Sequence, residues 1–414
     1  MNIIDYLAIS HKTFEEKPFG EVDSLILCQL FYAKIEKVLE DEKVPLISPR
    51  WEIRDFYREE YFHEMFNDDI SDKENRELYT VAAGSRRFRN VKVKNIISHL
   101  SVEEGKQFAA CTFEIEKGVD YVCFRGTDGT MLGWKEDFMM SYLEEVPAQR
   151  EAVEYIEKFY GNLSMGMLKK LYIRGHSKGG NLAMYAGMMV NPSIQQRIIE
   201  VYSHDGPGFR ETVLEKMMEK PGYESLNVNK TVPQASIVGM LMEGRDDYKI
   251  VDSKSFSIGQ HVTFEWQVKA DGTFEYANQL TSASIYFESS LKEWLKVAST
   301  EQLEIFVDTV FGILMNNGIN TVHELKGINT IQLAGMYDDV KKLDPEIKEV
   351  VNSVVKTLAQ YFIHGKMVKP AEGVRKLKEA KAFLLGHQST RKKEQEPSES
   401  LFGEYLSEKS DSEL

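Results

Sequence analysis

Apolar positions change their spacing along the chain. Residues 22–40 repeat apolar side chains every three to four positions, which predicts a helix, and residues 48–77 mix charge with aromatic side chains, which predicts short helices. Between residues 90 and 126, three apolar runs are separated by Gly105 and Gly118, which predicts strands with short turns. Such short connections favour an antiparallel meander.

Beyond residue 126 the predicted elements alternate. A helix is expected at 148–160, a strand directly before residue 176 with a helix after it, and further strands at 197–203, 235–241 and 249–253. Strands that alternate with helices usually form a parallel sheet. The pattern therefore predicts an α/β fold with a mostly parallel central sheet.

The remainder of the chain divides by composition. Residues 1–290 are expected to form one domain, which contains a methionine-bearing amphipathic insertion at 207–233 that we interpret as a lid. Residues 291–385 carry only helical patterns, including 303–314 and 347–362, and we expect a helical C-terminal region. Residues 386–414 are polar and charged, which predicts a disordered tail.

The strongest chemical signal is a glycine-framed serine between a strand and a helix. The run is Gly175-His176-Ser177-Lys178-Gly179. In a nucleophile elbow the serine lies on a sharp turn, and the residues two before and two after it must be small. Gly175 and Gly179 meet that requirement, so we expect Ser177 to be a nucleophile in an α/β-hydrolase-like fold.

A serine nucleophile needs an imidazole base and an acid that orients the ring. His261 is the predicted base, because it follows the last expected strand in a short loop. Asp205 is the preferred acid, since it begins a Gly-Pro-Gly turn after the strand that follows the elbow helix. Asp247 and Asp246, one strand later, remain alternatives.

The oxyanion formed during acyl transfer requires preorganised donors. The backbone amide of Lys178, directly after the nucleophile, is one expected donor. Thr127, in a loop after an earlier strand, offers the second through its amide or its hydroxyl. Trp134 and Asp137 are expected to brace that loop, and Arg125 is expected to form a structural ion pair.

Composition narrows the possible partners. The 414 residues carry a formal net charge of −14, which argues against a nucleic acid or an anionic membrane as partner. The three cysteines lack metal-ligand spacing, so we expect buried thiols, a cytoplasmic location and no metal or other cofactor. No run of apolar residues is long enough for a membrane span, so stable membrane insertion is not expected.

Two groups of motifs resemble known families. One resembles the fungal-type triacylglycerol lipases and consists of Phe124-Arg125-Gly126-Thr127, Trp134, Asp137 and Gly175-His176-Ser177-Lys178-Gly179-Gly180. Over about residues 1–290 the chain more closely resembles an uncharacterised bacterial family of α/β-hydrolase-like proteins, through Val22-Asp23-Ser24-Leu25, Asp205-Gly206-Pro207-Gly208-Phe209 and Gln260-His261 near Trp266. The resemblance implies Ser177 as nucleophile, His261 as base and an ester or thioester substrate.

The resemblance leaves the acid open. The fungal-type lipase pattern has its acid after the later strand, whereas the Asp205 turn resembles that of pancreatic-type lipases. Lys178 departs from the apolar residue or glutamine that these lipases have after the serine. The leading hypothesis is a serine hydrolase of lipid-like or small acyl esters. The alternatives are a thioesterase or acyltransferase, and a catalytically silent fold that acts as a binding or scaffold module; the oligomeric state stays open.

Overall fold

A single eight-stranded sheet organises the computed structural model, which describes residues 1–43, 45, 51–67, 71–161, 166–244, 247–255, 257–297 and 299–352. The strands follow one another across the sheet in chain order and are β1 (Trp51–Glu52), β2 (Lys92–Ser101), β3 (Lys106–Glu116), β4 (Val119–Phe124), β5 (Lys170–His176), β6 (Ile198–His204), β7 (Val228–Pro233) and β8 (Tyr248–Val251). β1 to β4 pair antiparallel, and β4 to β8 pair parallel. The predicted meander and the predicted parallel half are both confirmed.

Helices connect the strands and extend beyond them. They are α1 (Ile3–Ile9), α2 (Glu21–Leu30), α3 (Glu36–Asp41), α4 (Phe62–Met65), α5 (Asp72–Gly84), α6 (Met131–Met139), α7 (Pro147–Tyr160), α8 (Lys178–Met189), α9 (Pro192–Gln195), α10 (Glu211–Met218), α11 (Ser282–Val297), α12 (Thr300–Asn316), α13 (Val322–Lys326) and α14 (Thr330–Lys342). Short 3-10 turns occur at Ile53–Phe56, Glu59–Tyr61, Val238–Met240, Ser257–His261 and Thr263–Glu265. Residues 345–352 are also helical.

Alternate residues of β3 pack into two different buried clusters, because successive side chains of a strand point to opposite faces of the sheet. Phe108 and Ala110 pack with residues of α7 and α8, whereas Ala109 and Phe113 pack with residues of α1, α2 and α5. Helices therefore cover both faces. With a serine turn between β5 and α8, this mostly parallel sheet has the α/β-hydrolase fold.

The helix predicted over 22–40 is interrupted, and Arg125, the residue directly after β4, contacts the chain at the interruption. α2 ends at Leu30 and α3 begins at Glu36. Between them, the Phe31 carbonyl accepts a 2.6 Å hydrogen bond from Arg125 Nε, and both carboxylate oxygens of Glu36 accept from the same guanidinium at 2.8 and 2.7 Å. The predicted structural ion pair of Arg125 is thus confirmed, and its contacts explain why the helix stops.

The strand predicted at 235–241 is wrong. That segment contains the 3-10 turn Val238–Met240, and the strand of this region is β7. Asn229 and Lys230 interrupt the apolar run of β7, so the sequence pattern did not predict this strand. Lys230 is nevertheless buried, because its amine donates to the Gly239 carbonyl at 2.7 Å and is therefore not left without a partner.

The proposed lid, 207–233, contains both a surface helix and part of the sheet. β7 forms its last six residues and lies between β6 and β8. α10 carries Val213 and Met217, which are buried in the cluster that covers α8. Lid function stays a prediction for the segment that precedes β7.

The predicted division into a domain at 1–290, a helical region at 291–385 and a tail at 386–414 stays a prediction. The described residues from Met1 to residue 352 belong to one compact unit, which includes the sheet and α11 to α14. Residues 353–414, which include the rest of the predicted helical C-terminal region and the whole predicted tail at 386–414, lie outside the described residues. All three cysteines are buried free thiols, as expected.

Candidate active site

Ser177 lies on a strained turn between β5 and α8. Its backbone has φ 58° and ψ −131°, a conformation that L-residues rarely adopt and that costs about 1–3 kcal/mol. The flanking glycines are required by space: a Cβ on Gly175 would lie 2.0 Å from the Gly179 carbonyl carbon, and one on Gly179 would lie 2.2 Å from the Phe124 oxygen. Ser177 is 9% exposed, so most of its surface is covered. The local geometry is that of a nucleophile elbow.

Asp205 and His261 are joined by a short hydrogen bond. Asp205 follows β6 and is fully buried, and its Oδ2 lies 2.6 Å from His261 Nδ1. The second oxygen, Oδ1, accepts from the Ser236 hydroxyl and from the Gly239 amide at 3.0 Å. The carboxylate is therefore held from both sides. When Nδ1 donates to it, Nε2 of His261 remains as the unprotonated nitrogen of a neutral ring.

His176 connects the elbow to the loop of His261. Its Nε2 lies 3.0 Å from the His261 carbonyl, its Nδ1 lies 2.9 Å from the Tyr32 hydroxyl, and the two imidazole rings are 4.6 Å apart. Burial, reinforced by the nearby His261, lowers the pKa of His176 to about 3. The ring is therefore neutral at physiological pH, with Nε2 donating to the carbonyl and Nδ1 accepting from the tyrosine. The residue next to Ser177 thus holds the backbone of His261.

The side chain of Lys178 is buried and fully engaged by Gln107 and Glu136. Its fully buried ammonium donates to the Gln107 carbonyl at 2.8 Å, to the Gln107 side-chain oxygen at 2.6 Å and to Glu136 Oε2 at 3.0 Å. Glu136 also accepts from the backbone amides of Gln107 and Ala148. All three ammonium hydrogens have acceptors, so the backbone amide is the group of Lys178 that is left for an oxyanion, and its role as a donor stays a prediction.

The loop of Thr127 is tied to the helix that follows it. The Thr127 hydroxyl donates to Asp137 Oδ2 on α6. Burial raises the pKa of Asp137 to about 6, although the Lys178 charge opposes the rise, and its Oδ1 is covered without a partner among the described residues. Because the one hydroxyl proton of Thr127 is engaged, the amide is the donor left for an oxyanion. Asp137 braces the loop as expected, whereas Trp134 on α6 is exposed.

The other two acid candidates are placed differently. Asp247 is exposed immediately before β8, and no hydrogen bond to His261 is found for it in the described part of the chain. Asp246 lies outside the described residues. Of the acids that the structure describes, Asp205 is the one hydrogen-bonded to His261.

A family model matches residues 82–312, which is more than half of the chain and contains every candidate site residue. The chain belongs to the Mbeg1-like family. No curated protein matches it significantly. The family model covers the elbow, the Asp205 turn and the His261 loop, and it begins within α5 and ends within α12.

Two lipases are among the solved structures that resemble this family member. One is a fungal lipase–inhibitor complex, described as a model for interfacial activation, with 15% identity and a TM-score of 0.27. That match covers 40% of this chain and 66% of the lipase. The other is M37 lipase, with 13% identity and a TM-score of 0.30, covering 52% of this chain and 67% of that one. The chain thus spans about two thirds of each lipase.

Several residues of this Mbeg1-like site were not singled out from the sequence. Ser236 and Gly239 hold Asp205, Tyr32 holds His176, and Glu136 receives Lys178. Glu136 lies beside Asp137 in the sequence, which was a usable signal. The other three residues are far from Ser177 in the sequence, and no local motif marks them.

The described residues contain no group of three or more His, Cys, Asp and Glu side chains arranged to hold a metal ion. None of the helices that the structure describes is long and apolar enough to cross a bilayer.

Proposed function

We propose that the protein is a serine hydrolase that cleaves carboxylic esters, with Ser177 as nucleophile, His261 as base and Asp205 as orienting acid. The observation that carries the proposal is the 2.6 Å contact between Asp205 and His261, in a loop whose backbone His176, the residue before the strained elbow serine, contacts at 3.0 Å. An elbow alone presents a hydroxyl. An imidazole with a buried carboxylate behind it is what converts such a hydroxyl into a nucleophile.

In the first half of the reaction Ser177 Oγ forms a bond to the ester carbonyl carbon while its proton passes to His261 Nε2. The carbonyl oxygen becomes an oxyanion, which accepts hydrogen bonds from the amides of Thr127 and Lys178. The tetrahedral intermediate then collapses and the bond to the alcohol oxygen breaks. The departing alcohol takes the proton from His261 Nε2, which leaves an acyl ester on Ser177.

In the second half water replaces the alcohol. His261 Nε2 takes one proton from the water as its oxygen bonds to the acyl carbon, and the same two amides receive the oxyanion. Collapse breaks the bond to Ser177 Oγ, and the proton on Nε2 returns to that oxygen. The products are a carboxylic acid and the free enzyme.

The proposed substrate is a lipid-like or small acyl ester. Support comes from the motif resemblance to fungal-type lipases in the Thr127 loop and the elbow. An alcohol, amine or thiol in place of water would make the same site an acyltransferase, and a thioester substrate would make it a thioesterase. Product analysis separates these reactions.

A fluorophosphonate probe tests the proposal directly. We expect stable labelling of the wild type and of Ser289→Ala, which removes an exposed serine on α11, and loss of labelling in Ser177→Ala. Turnover of a panel of acyl esters should follow the same pattern. A folded wild-type protein that neither reacts nor turns over an ester would contradict the proposal and favour the scaffold function.

A further inference from the structure

The C-terminal helical region pairs with the loop that carries Thr127. The Val322 amide donates to the Gly129 carbonyl at 2.8 Å, and the Met131 amide donates to the Asn320 carbonyl at 2.7 Å. Between these bonds Thr130 and Thr321 form an antiparallel bridge. The two segments are about 190 residues apart in the chain, yet they form a small piece of β-structure next to the candidate oxyanion donor.

The C-terminal partner in this pairing is itself fixed. Glu324 Oε2 accepts from the amides of Asn320 and Thr321 at 2.7 and 2.9 Å, and the Thr321 hydroxyl accepts from the Glu324 amide at 3.2 Å. These reciprocal bonds form the capping box of α13. A shift of residues 320–322 would therefore break the start of α13.

Helix α6, which continues from the same loop, packs against α12. Met131 and Tyr142 share a buried cluster with Leu303, Phe306, Val307 and Phe311. An ion pair of 2.8 Å joins Lys135 to Asp308, and the rings of Phe138 and Phe311 lie 5.6 Å apart. The loop from Thr127 to Met131 is therefore contacted by the C-terminal region through its backbone and by Asp137 through the Thr127 hydroxyl.

We propose that residues 320–322 are a backbone clamp that positions the Thr127 amide for the oxyanion, so that the C-terminal helical region sets the activity of the site. The inference rests on the proposed function. Oxyanion donors are effective because they are already in place when charge develops, and they lose this advantage when the loop that carries them relaxes. The Gly129 carbonyl and the Met131 amide are the backbone groups that connect Thr127 to α6, and both are bonded to the clamp.

Val322→Pro removes one bond of the clamp with little other disturbance. Val322 is the first residue of α13, where proline is favoured, and Thr321 before it has the extended conformation that a following proline requires. Val322→Ala keeps the amide and controls for the side chain. Thr330→Pro is the matched control, because Thr330 begins α14 and its amide makes no hydrogen bond to 126–131 in the described chain.

We expect Val322→Pro to lower kcat for a small soluble ester by about tenfold with KM within about twofold, since the loss of a whole oxyanion donor costs about a hundredfold or more. Its affinity for a trifluoromethyl ketone, which forms an oxyanion on Ser177, should fall in parallel. Both controls should retain kcat. A merely structural role would lower the melting temperature of the two proline variants alike and leave kcat of the folded protein unchanged.

Hydrogen exchange separates this inference from the proposed function. If wild type is active and Val322→Pro has the same kcat as Thr330→Pro, the clamp proposal is wrong and the proposed hydrolase function is unaffected. If wild type shows neither activity nor labelling, the proposed hydrolase function is wrong. The hydrogen-exchange rates of the backbone amides of 126–131 then test the clamp independently of activity. Faster exchange in Val322→Pro than in Thr330→Pro supports a positioning role, and equal exchange overturns it.

Discussion

On one side of the candidate site, Asp205 and His261 follow β6 and β8 and are joined by a side-chain hydrogen bond. On the other side, Thr127 lies in a loop that a distant backbone segment, 320–322, holds from outside. The acid side is built at the carboxyl-end edge of the parallel half of the sheet, where the segments after β6 and β8 meet across the intervening β7. The oxyanion side depends on elements outside the sheet. Substitutions on the two sides should therefore have different effects on activity and stability.

The largest expected effect lies on the acid side. Asp205→Asn should lower kcat by about ten-thousandfold, because the amide favours the wrong tautomer of His261. The measurement is ester turnover with the melting temperature followed in parallel. Asp247→Asn is the control, since Asp247 is exposed before β8. Loss of turnover in Asp247→Asn together with an active Asp205→Asn would assign the acid to the later strand.

The second effect concerns the buried ion pair that connects the elbow helix to α6. Lys178→Met leaves the Glu136 carboxylate buried without its cation, which should cost about 3–5 kcal/mol in the free energy of unfolding. Urea unfolding measures this cost. The double variant Lys178→Met/Glu136→Gln should recover part of it, since no buried charge remains. Lys216→Met, which breaks an exposed ion pair with Glu144, should have little effect.

If Lys178→Met unfolds as readily as Lys216→Met, the pair is not buried in solution as described. If the double variant is no more stable than Lys178→Met, the cost comes from lost packing and not from an unpaired charge. Either result would weaken the view that this pair anchors the oxyanion side to the elbow.

A pH-dependent effect on stability should come from His176. Its pKa of about 3 is far below the ordinary value of 6.5, so the unfolded chain takes up a proton between these values and the folded protein does not. Stability from this residue is complete above about pH 6.5 and falls with decreasing pH, by about 1.4 kcal/mol per pH unit.

Urea unfolding between pH 7 and pH 5 should show a smaller slope for His176→Gln than for wild type. His204 is also buried, and burial holds its pKa well below the ordinary value in both proteins, so the slope of the variant should fall but not vanish. His63→Gln, which alters an exposed ring, should keep the wild-type slope. Equal slopes in His176→Gln and wild type would mean that the ring accepts a proton in the folded state.

The contrast between the two sides also explains what the sequence could predict. Local chain geometry determines the elbow and the Asp205 turn, since glycine spacing and a Gly-Pro-Gly sequel mark both. The clamp at 320–322 leaves no such mark, because it acts through backbone groups that every residue except proline has. Lys230 is a third case. Because a lysine is usually exposed, its presence in β7 led to the prediction of a surface insertion, whereas the structure buries it against a backbone acceptor.

The smallest effect tests which group of Thr127 acts on the oxyanion side. Thr127→Val removes the hydroxyl and its bond to Asp137 but keeps the amide, so kcat should fall by about tenfold through a less fixed loop. Ester kinetics measure it, with Thr80→Val on α5 as control. A fall in kcat of a hundredfold or more would mean that the hydroxyl itself donates to the oxyanion, which is one of the two possibilities that the sequence analysis gave for Thr127. Wild-type kcat would mean that Asp137 does not position the loop, and that the clamp at 320–322 carries this function alone.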